Sequence, residues 1–484
     1  MSVDTAPSSE RRSALKPNAI GLPGVLFQSI TTMAPAGAVA FSLGAAIAFT
    51  GGALPLAVIF GLIVCTLVAL SIGSLAKHLP SAGGYFTYVS HSLGPEAGWM
   101  TGWLYTFTYA LVIPLTLLVL GPVTDSFLSG TFGLSLGPNG WLVWAAAFAV
   151  AIFLLTYFGI KISADAGVIL GGIEIVIFLL LSIWLIVSAG SGNTAAAFNP
   201  GSALEQGFLG GWQGILHGMI FTFLAFAGFE SAAPLAEESH NPRQTVSRAI
   251  LLSVVGIGVF FVFCAYAGVV GWGFNHIATY PNDPNPWGTM AKRVWGPFAF
   301  LAIFAILNSG LANGNAGINA GSRVMYAMGR IRTLPALFGQ TNRHRTPGKA
   351  IIFMMVLGTI LTLWLGLVYG PTIAFALVGT ILTIPLLVVY MAVCVSLPLF
   401  YLREHRNEFN IVRHIIVPAI AFVVLAVVVY FQFVPAPPPP LNLAGPICAV
   451  WFILGLVVVI YLNRRAPQTL AESNKIFLTG SEDA

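Results

Sequence analysis

Apolar runs separated by short polar connections fill this sequence, and their length decides what the chain can fold into. A helix needs about 20 mostly apolar residues to cross the hydrocarbon core of a bilayer. An open strand would leave its backbone groups without hydrogen bonds in lipid, so helices are expected. Charged residues make up only 8% of the chain, compared with about 25% in soluble domains. We therefore predict an all-α integral membrane protein with twelve transmembrane helices, called spans 1 to 12 below, at residues 22–47, 52–76, 97–123, 141–160, 165–190, 211–236, 247–271, 296–325, 350–369, 372–401, 412–433 and 444–463.

The Lys and Arg residues fall almost entirely on one side of these spans. If the N-terminus is cytoplasmic, all of the 21 basic residues except Lys292 and Arg293 lie on the cytoplasmic side. Cytoplasmic loops of membrane proteins carry an excess of Lys and Arg, so we predict a multi-pass protein of the cytoplasmic membrane with both termini inside. Residues 1–18 are expected to be a disordered tail rather than a cleaved signal peptide, because they contain no apolar core.

Two of the predicted spans contain residues that disfavour a continuous helix. Span 1 carries Pro35 and Gly37 near its middle, and span 6 carries Gly228 beside the ionisable Glu230. Five spans separate the two breaks, so spans 1–5 and 6–10 can form two repeats of opposite orientation. Paired interrupted spans indicate a binding site near the middle of the bilayer in secondary transporters. The alternative is two ordinary kinked helices, since Gly and Pro are frequent in membrane spans.

Three longer motifs reveal a family resemblance. One runs from the break in span 6 through the following connection, FAGFESAAPLAEESHNPRQTVSRAI (226–250). The others are LAKHLPSAGGYFTYVSHSLGPEAGWMTGW (75–103) and GSRVMYAMGRIRTLPALF (321–338). With these motifs the chain resembles the amino acid–polyamine–organocation (APC) family of transporters over nearly its whole length after residue 18.

The resemblance implies a LeuT-like fold that works by alternating access. Residues 19–401 would form the transport core, with inverted repeats at 19–190 and 211–401. Residues 402–465 would hold spans 11 and 12, and residues 466–484 would be a cytoplasmic tail. The resemblance also places the substrate between the breaks of spans 1 and 6.

In relatives, backbone amides freed at the first break bind the carboxylate of the substrate. That role carries over to a short stretch of span 1, Ala34, Pro35, Ala36, Gly37 and Ala38. Pro35 departs from the family pattern, because proline has no N–H to donate. The matching residues of span 6 are Phe226, Ala227, Gly228 and Phe229. The two Phe rings are candidate gates over the ligand or plain core aromatics, and Glu230 is expected to stabilise and couple the broken helices.

Span 5 contains an informative carboxylate. Its opening stretch GIKISADAG (159–167) matches relatives, and proton-coupled relatives often carry a lysine farther along, at the position of Glu174. About nine residues of helix place Glu174 roughly 14 Å deep, and burial disfavours a charged carboxylate. We interpret Glu174 as the proton-coupling group that replaces the lysine. Two alternatives stay open, a counter-charge for a cationic substrate and a hydrogen-bonded structural glutamate.

Further polar side chains lie within spans 3 and 8. The candidate pocket residues are Tyr105, Tyr109, Asn308 and Asn313, with Thr106, Thr108, Ser309 and Asn315 beside them. Buried polar side chains also bond one membrane helix to another, so each can equally be a structural contact. We interpret His217, near the outer end of span 6, as interfacial rather than as a ligand.

The leading hypothesis is a secondary active transporter for amino acids, with a proton as the coupling ion. The alternative is an amine or polyamine (putrescine-like) importer or exchanger, which Pro35 and Glu174 both favour. The repeated filter loops of channels are absent from the sequence, and so are the short motifs of metal, phosphate-binding and nucleophilic enzymes. We predict no enzyme, no cofactor, no metal and no nucleic-acid partner; the expected partners are the small-molecule substrate, the proton and the bilayer.

Overall fold

The computed structural model describes residues 15–158, 160–435 and 437–471, without the side chains of residues 160–166. Most of the two predicted tails and the side chains of the GIKISADAG stretch before Gly167 therefore lie outside the described residues. The α-helices are α1 Leu22–Thr32, α2 Pro35–Gly37, α3 Leu43–Thr50, α4 Leu54–His78, α5 Tyr85–Leu93, α6 Pro95–Ala110, α7 Val112–Phe132, α8 Trp141–Tyr157, α9 Ile160–Ala189, α10 Gly211–Phe226, α11 Pro242–Trp272, α12 Pro286–Trp295, α13 Phe300–Arg330, α14 Gly348–Tyr369, α15 Pro371–Glu404, α16 Val417–Phe431, α17 Ala444–Arg465 and α18 Pro467–Ala471.

Nine helical stretches in the described part of the chain are long and apolar enough to cross a membrane. One of them, Leu22–His78, has 57 residues and contains predicted spans 1 and 2, while spans 4 and 6 appear as the shorter apolar helices α8 and α10. Large apolar side chains cover the outer surface, for example Trp184 and Trp364 with exposed fractions of 56% and 60%. Such a surface suits contact with lipid chains. The chain is therefore an all-helical, multi-pass membrane protein.

The first predicted break lies between α1 and α2. Ala34 adopts a left-handed conformation with φ 49°, which costs an L-residue roughly 1–2 kcal/mol. Pro35 follows at the first position of α2, where its missing N–H leaves no helical bond unmade. The chain then continues through a π-helical turn, Ala38–Ser42, into α3. The left-handed conformation of Ala34 and the position of Pro35 at the start of α2 therefore divide span 1 into two halves.

The second predicted break follows α10. The helix ends at Phe226, Ala227 is extended with ψ 123°, and Gly228 has φ 116°, a region that favours glycine. Turns and a 3₁₀ helix, Ala233–Glu238, then lead towards α11. Span 6 is thus α-helical only as far as Phe226, because Gly228 redirects the chain.

The two breaks touch each other. A Cβ atom built on Gly228 would lie 2.5 Å from Cγ2 of Thr32, the last residue of α1. The Thr32 and Ser231 hydroxyls are hydrogen-bonded at 2.8 Å. Farther along, the backbone N–H groups of Ala19 and Ile20 donate to the Glu238 carbonyl. The two interrupted segments therefore lie side by side over much of their length.

Two ion pairs fasten the segment after the second break to α13. Arg323 and Glu238 are both fully buried and hydrogen-bonded. Arg330 pairs with Glu237 at 2.9 Å, and the Ala82 N–H donates to the same Glu237 carboxylate. These contacts join three separate parts of the chain on the face that the basic residues predict to be cytoplasmic.

Candidate functional site

A cavity of about 60 Å³ lies between the two breaks. Residues from both breaks line it, and so do residues of α6, α7, α13 and α15. Apolar side chains such as Val112, Leu224 and Leu386 make up much of its wall, and none of the described lining residues is charged. Ligand sites of drug size usually enclose about 300–1,000 Å³. In this conformation the cavity therefore suits a small solute with apolar groups.

Seven of the residues predicted for the site line this cavity: Ala34, Gly37, Ala38, Thr108, Tyr109, Ala227 and Asn313. The other predicted residues surround it without lining it: Pro35, Ala36, Phe226, Gly228, Phe229, Glu174, Glu230, Tyr105 and Asn308. The structure thus brings the two breaks and part of spans 3 and 8 together, and it places both carboxylates behind the wall.

The amides of the first break already have hydrogen-bond acceptors within the protein. The Ala34 N–H donates to the Thr31 carbonyl at 3.1 Å, and the Ala38 N–H donates to the Ala34 carbonyl. The Gly37 N–H donates to the Ser309 hydroxyl at 3.0 Å, and the backbone of Ala36 faces the Glu174 carboxyl. At the first break, the amides of Ala36 and Gly37 thus interact with side chains, whereas the amides of Ala34 and Ala38 are bonded to backbone carbonyls.

Glu174 lies on α9 and is completely buried. Its carboxyl accepts hydrogen bonds from the Asn308 amide at 2.7 Å and from the Ser309 hydroxyl at 3.0 Å. Because the same Ser309 oxygen accepts the Gly37 N–H, one hydroxyl connects the carboxyl to the cavity wall. Glu174 therefore bridges α9, α13 and the first break.

Glu230 is also completely buried. One carboxyl oxygen accepts the Tyr109 hydroxyl and the other accepts the Tyr390 hydroxyl, each at 2.8 Å. The Gly228 N–H, which the break has freed, donates to the second oxygen at 2.9 Å. The carboxyl thus replaces the helical partner that Gly228 has lost and ties the second break to α6 and α15.

Comparison with known proteins assigns the architecture to a family. The family profile described as "Amino acid permease" matches residues 24–470. The chain belongs to the amino acid permease family. This membership confirms the resemblance drawn from the three sequence motifs.

Several curated permeases are similar to this chain at low identity. The branched-chain amino acid permease BcaP of Lactococcus lactis is 24% identical over 86% of this chain and 88% of its own length. The lysine-specific permease LysP of Escherichia coli is 25% identical over 62% of each protein. The low-affinity putrescine importer PlaP of Escherichia coli is 26% identical over 74% of this chain and 76% of its own length. The names of these relatives give different substrates, so similarity alone does not identify the substrate of this chain.

The aromatic rings at the cavity of this permease differ from the two predicted gates. Phe226 packs edge-on against Phe261, and Phe229 packs against Tyr390; both are fully buried. The cavity is instead lined by Phe41 and Phe375, whose ring centroids are 6.0 Å apart. Sequence reasoning missed this pair, because the two rings lie on spans 1 and 10, far apart in the chain, and only the fold brings them together.

The polar residues of spans 3 and 8 have mixed roles in the permease. Asn313 accepts the Thr116 hydroxyl at 2.8 Å and donates to the Thr32 carbonyl, so it both lines the cavity and holds the end of α1. Tyr105 packs against Tyr109 with ring centroids 4.4 Å apart. Tyr390 was not predicted from the sequence. The available signal was a tyrosine hydroxyl in a long, mostly apolar run, and a buried hydroxyl needs a hydrogen-bond partner.

His217, in the first half of α10, belongs to a separate feature. Its Nδ1 atom lies 2.8 Å from both carboxylate oxygens of Glu205. The two residues line a second cavity of about 290 Å³, together with residues such as Pro437 of the proline-rich connection. His217 therefore lies away from the central cavity.

Proposed function

We propose that this permease is a secondary active transporter for small neutral amino acids and that a proton drives it through Glu174. The observation that carries the proposal is the central cavity, whose described lining has apolar side chains and no charged one. A polyamine carries several positive charges, and moving a charge out of water without a partner is very costly. An apolar amino acid side chain would gain from burial against the same wall.

The amides of Ala36 and Gly37 are the proposed site for the substrate carboxylate. They start the helical segment that continues through α3, and helix N-termini attract anions through free N–H groups and the helix dipole. Pro35 removes one donor from this cradle. Ser309 accepts the Gly37 N–H, and the Glu174 carboxyl faces the backbone of Ala36, so a substrate carboxylate would have to replace interactions that exist in the protein.

That replacement explains how a proton can be coupled to transport. While Glu174 is charged, its carboxylate competes with the substrate for the donors of the first break. A proton on Glu174 removes this negative charge and weakens its hold on Ser309 and the Ala36 N–H. Proton and amino acid then favour each other's binding, which is the reciprocal relation required for symport.

The architecture supports the proposed transport path. Leu22–His78 would be about 85 Å long as a straight helix, more than twice the roughly 30 Å hydrocarbon thickness, so it represents two crossings. With α8 and α10, the helices then provide twelve crossings. We propose the inverted-repeat arrangement and a cytoplasmic location for both termini on the basis of the paired breaks and the basic residues. The buried pair Arg323–Glu238 would close the inner side in this conformation.

The alternative substrate is a small amine. Its support is the similarity to the putrescine importer and the carboxyl of Glu174 one hydroxyl away from the cavity. In that case Glu174 would act as counter-charge rather than as proton carrier.

Ligand-dependent thermal stabilisation of the purified permease separates the two substrates. Neutral amino acids such as alanine, valine and leucine would be compared with putrescine, agmatine and the matching amino acid amides, which lack a carboxylate. A ligand at 100 times its Kd stabilises the folded state by about 2.7 kcal/mol. We expect stabilisation by the amino acids and none by their amides. Stabilisation by putrescine and the amides instead would overturn the neutral amino acid assignment.

A further inference from the structure

We propose that His78, His405 and Glu408 form a binding site for a transition-metal ion, Zn²⁺ in the first place, at the face predicted to be cytoplasmic. His78 is the last residue of α4. His405 directly follows α15, and Glu408 ends the 3₁₀ turn Arg406–Glu408. The sequence predicted no metal site, because His78 is far in the chain from His405 and Glu408.

The donor atoms of the three residues converge. One ligand atom of each residue lies within 4.8 Å of the other two. His78 Nε2 is 3.8 Å from a carboxylate oxygen of Glu408, and His405 Nδ1 is 3.9 Å from the other. Zinc bonds of about 2.0–2.2 Å set tetrahedral ligand atoms roughly 3.4 Å apart. Shifts on the order of 1 Å or less in these side chains would therefore place all three around one ion.

Direct hydrogen bonds between the two histidines and Glu408 do not explain the cluster. The two His–Glu separations exceed the range of N–H···O hydrogen bonds, about 2.7–3.2 Å. Two other His–Glu pairs of the protein do reach that range: His91–Glu404 and His217–Glu205, both at 2.8 Å. The geometry at Glu408 instead leaves room for an ion between the carboxylate and the two rings.

The surroundings suit a bound ion. The imidazole centroids of His78 and His405 are 4.1 Å apart, and Phe400 packs against both rings. The Tyr401 hydroxyl is hydrogen-bonded to His78 Nε2 at 3.2 Å, so it would have to turn away from this atom when an ion binds. The side chain of Glu408 is 53% exposed, which gives an ion access from water.

Two imidazoles and one carboxylate select among metals. Zn²⁺ commonly takes such ligands, and Cu²⁺ and Ni²⁺ also favour imidazole. Mg²⁺ and Ca²⁺ prefer oxygen ligands. The site should therefore discriminate strongly against Mg²⁺.

A bound ion would connect the end of α4 to the chain after α15. If the proposed alternating access separates these elements, the ion would restrain the movement and slow transport. This consequence for transport rests on the proposed function, whereas metal binding does not.

The test is zinc binding to the full-length protein, purified in detergent and stripped with a chelator. Isothermal titration with ZnCl₂ should give one ion per chain, and MgCl₂ should give no binding. His405→Ala and, separately, Glu408→Ala should weaken zinc binding at least about tenfold, since even outer-shell changes typically cost 10–100-fold. His91→Ala is the matched control, because it removes a histidine from a two-residue pair at Glu404, and it should bind zinc like the wild type.

Glu408 is largely exposed, so Glu408→Ala keeps the test valid if the His405 variant does not fold. X-ray absorption of the zinc-loaded protein should show two imidazole ligands. Absence of zinc binding at 100 µM, or equal binding by wild type and Glu408→Ala, would overturn the metal site. Zinc binding by a protein that transports no amino acid would leave the site intact and reject the proposed function instead.

Discussion

Tyr109 lines the central cavity and donates its hydroxyl to the buried carboxyl of Glu230, 2.8 Å away. The same side chain therefore shapes the cavity and holds the carboxyl that organises the second break. Any change at this contact should be felt both in folding and in ligand binding.

Tyr109→Phe removes this hydroxyl and keeps the ring. A hydrogen bond to a charged group contributes about 1.5–3 kcal/mol to stability, and helix–helix hydrogen bonds in membranes average nearer 0.6 kcal/mol. We therefore expect a loss of about 1–2 kcal/mol, measured as a lower thermal unfolding midpoint in detergent. Tyr390→Phe should behave similarly. The control Tyr461→Phe, at a side chain that is 61% exposed, should leave the midpoint unchanged; an equal loss there would contradict the assignment.

Glu174→Gln keeps the shape of the side chain and removes its titration. Wild-type affinity for the amino acid should rise as the pH falls, because protonation of Glu174 releases the donors of the first break. The variant should bind the amino acid with little dependence on pH. In proteoliposomes it should exchange internal for external amino acid and should not accumulate it against a proton gradient.

The matched control for this experiment is Glu205→Gln, which removes a carboxylate from the second cavity near His217. It should retain gradient-driven accumulation. If Glu174→Gln still accumulates substrate when the gradient is imposed, Glu174 is not the coupling group.

Gly228→Ala places a Cβ atom where no space exists. The new atom would approach Thr32 Cγ2 to 2.5 Å, on a residue whose φ of 116° disfavours a side chain. We expect loss of folded protein, or of several kcal/mol of stability. Gly256→Ala is the control, because that helical glycine has no atom within 4 Å; there alanine should be neutral or stabilise by up to about 1 kcal/mol. Similar yields from both variants would show that the second break is not tightly packed.

Arg323→Met removes one partner of the fully buried pair with Glu238. Breaking a buried ion pair on one side costs about 3–5 kcal/mol, because the other charge stays uncompensated. The double variant Arg323→Met with Glu238→Gln should recover part of this loss. Arg330→Met, at a partly exposed pair, should cost less. Folded yield and the thermal midpoint measure all three, and a double variant no better than the single one would argue against charge compensation.

The two breaks could be predicted because Pro35 and Gly228 interrupt otherwise apolar runs. Glu174 and Glu230 are visible for the same reason, since a carboxyl inside a membrane span is rare. The apolar runs also locate the helices, because apolar length carries that information directly, but span 6 is helical only to Phe226 and the helices of span 3 continue to Phe132.

The partners of these residues could not be predicted from the chain alone. Ser309 contacts Glu174 and Gly37 through the packing of α13 against α9 and the first break. Tyr390 meets Glu230 across 160 residues of sequence. Apolar spans show no clear periodicity that tells which face meets the protein and which meets lipid. The family resemblance predicts Phe226 and Phe229 as candidate gates or core aromatics, whereas Phe41 and Phe375 line the cavity.

If Glu174 has the proposed coupling role, it also affects the turnover of the transport cycle. A transporter must release its substrate as readily as it binds it. If the amides of the first break had no partner in the substrate-free protein, they would bind the substrate too tightly for release. Here the protein contains its own carboxylate, connected to the Gly37 amide through Ser309. Once the proton leaves on the inner side, the charged Glu174 carboxylate would again attract the donors of the first break. The amino acid carboxylate would then be displaced and the amino acid released. A weak net affinity of the central cavity for the amino acid would then be required for a fast transport cycle.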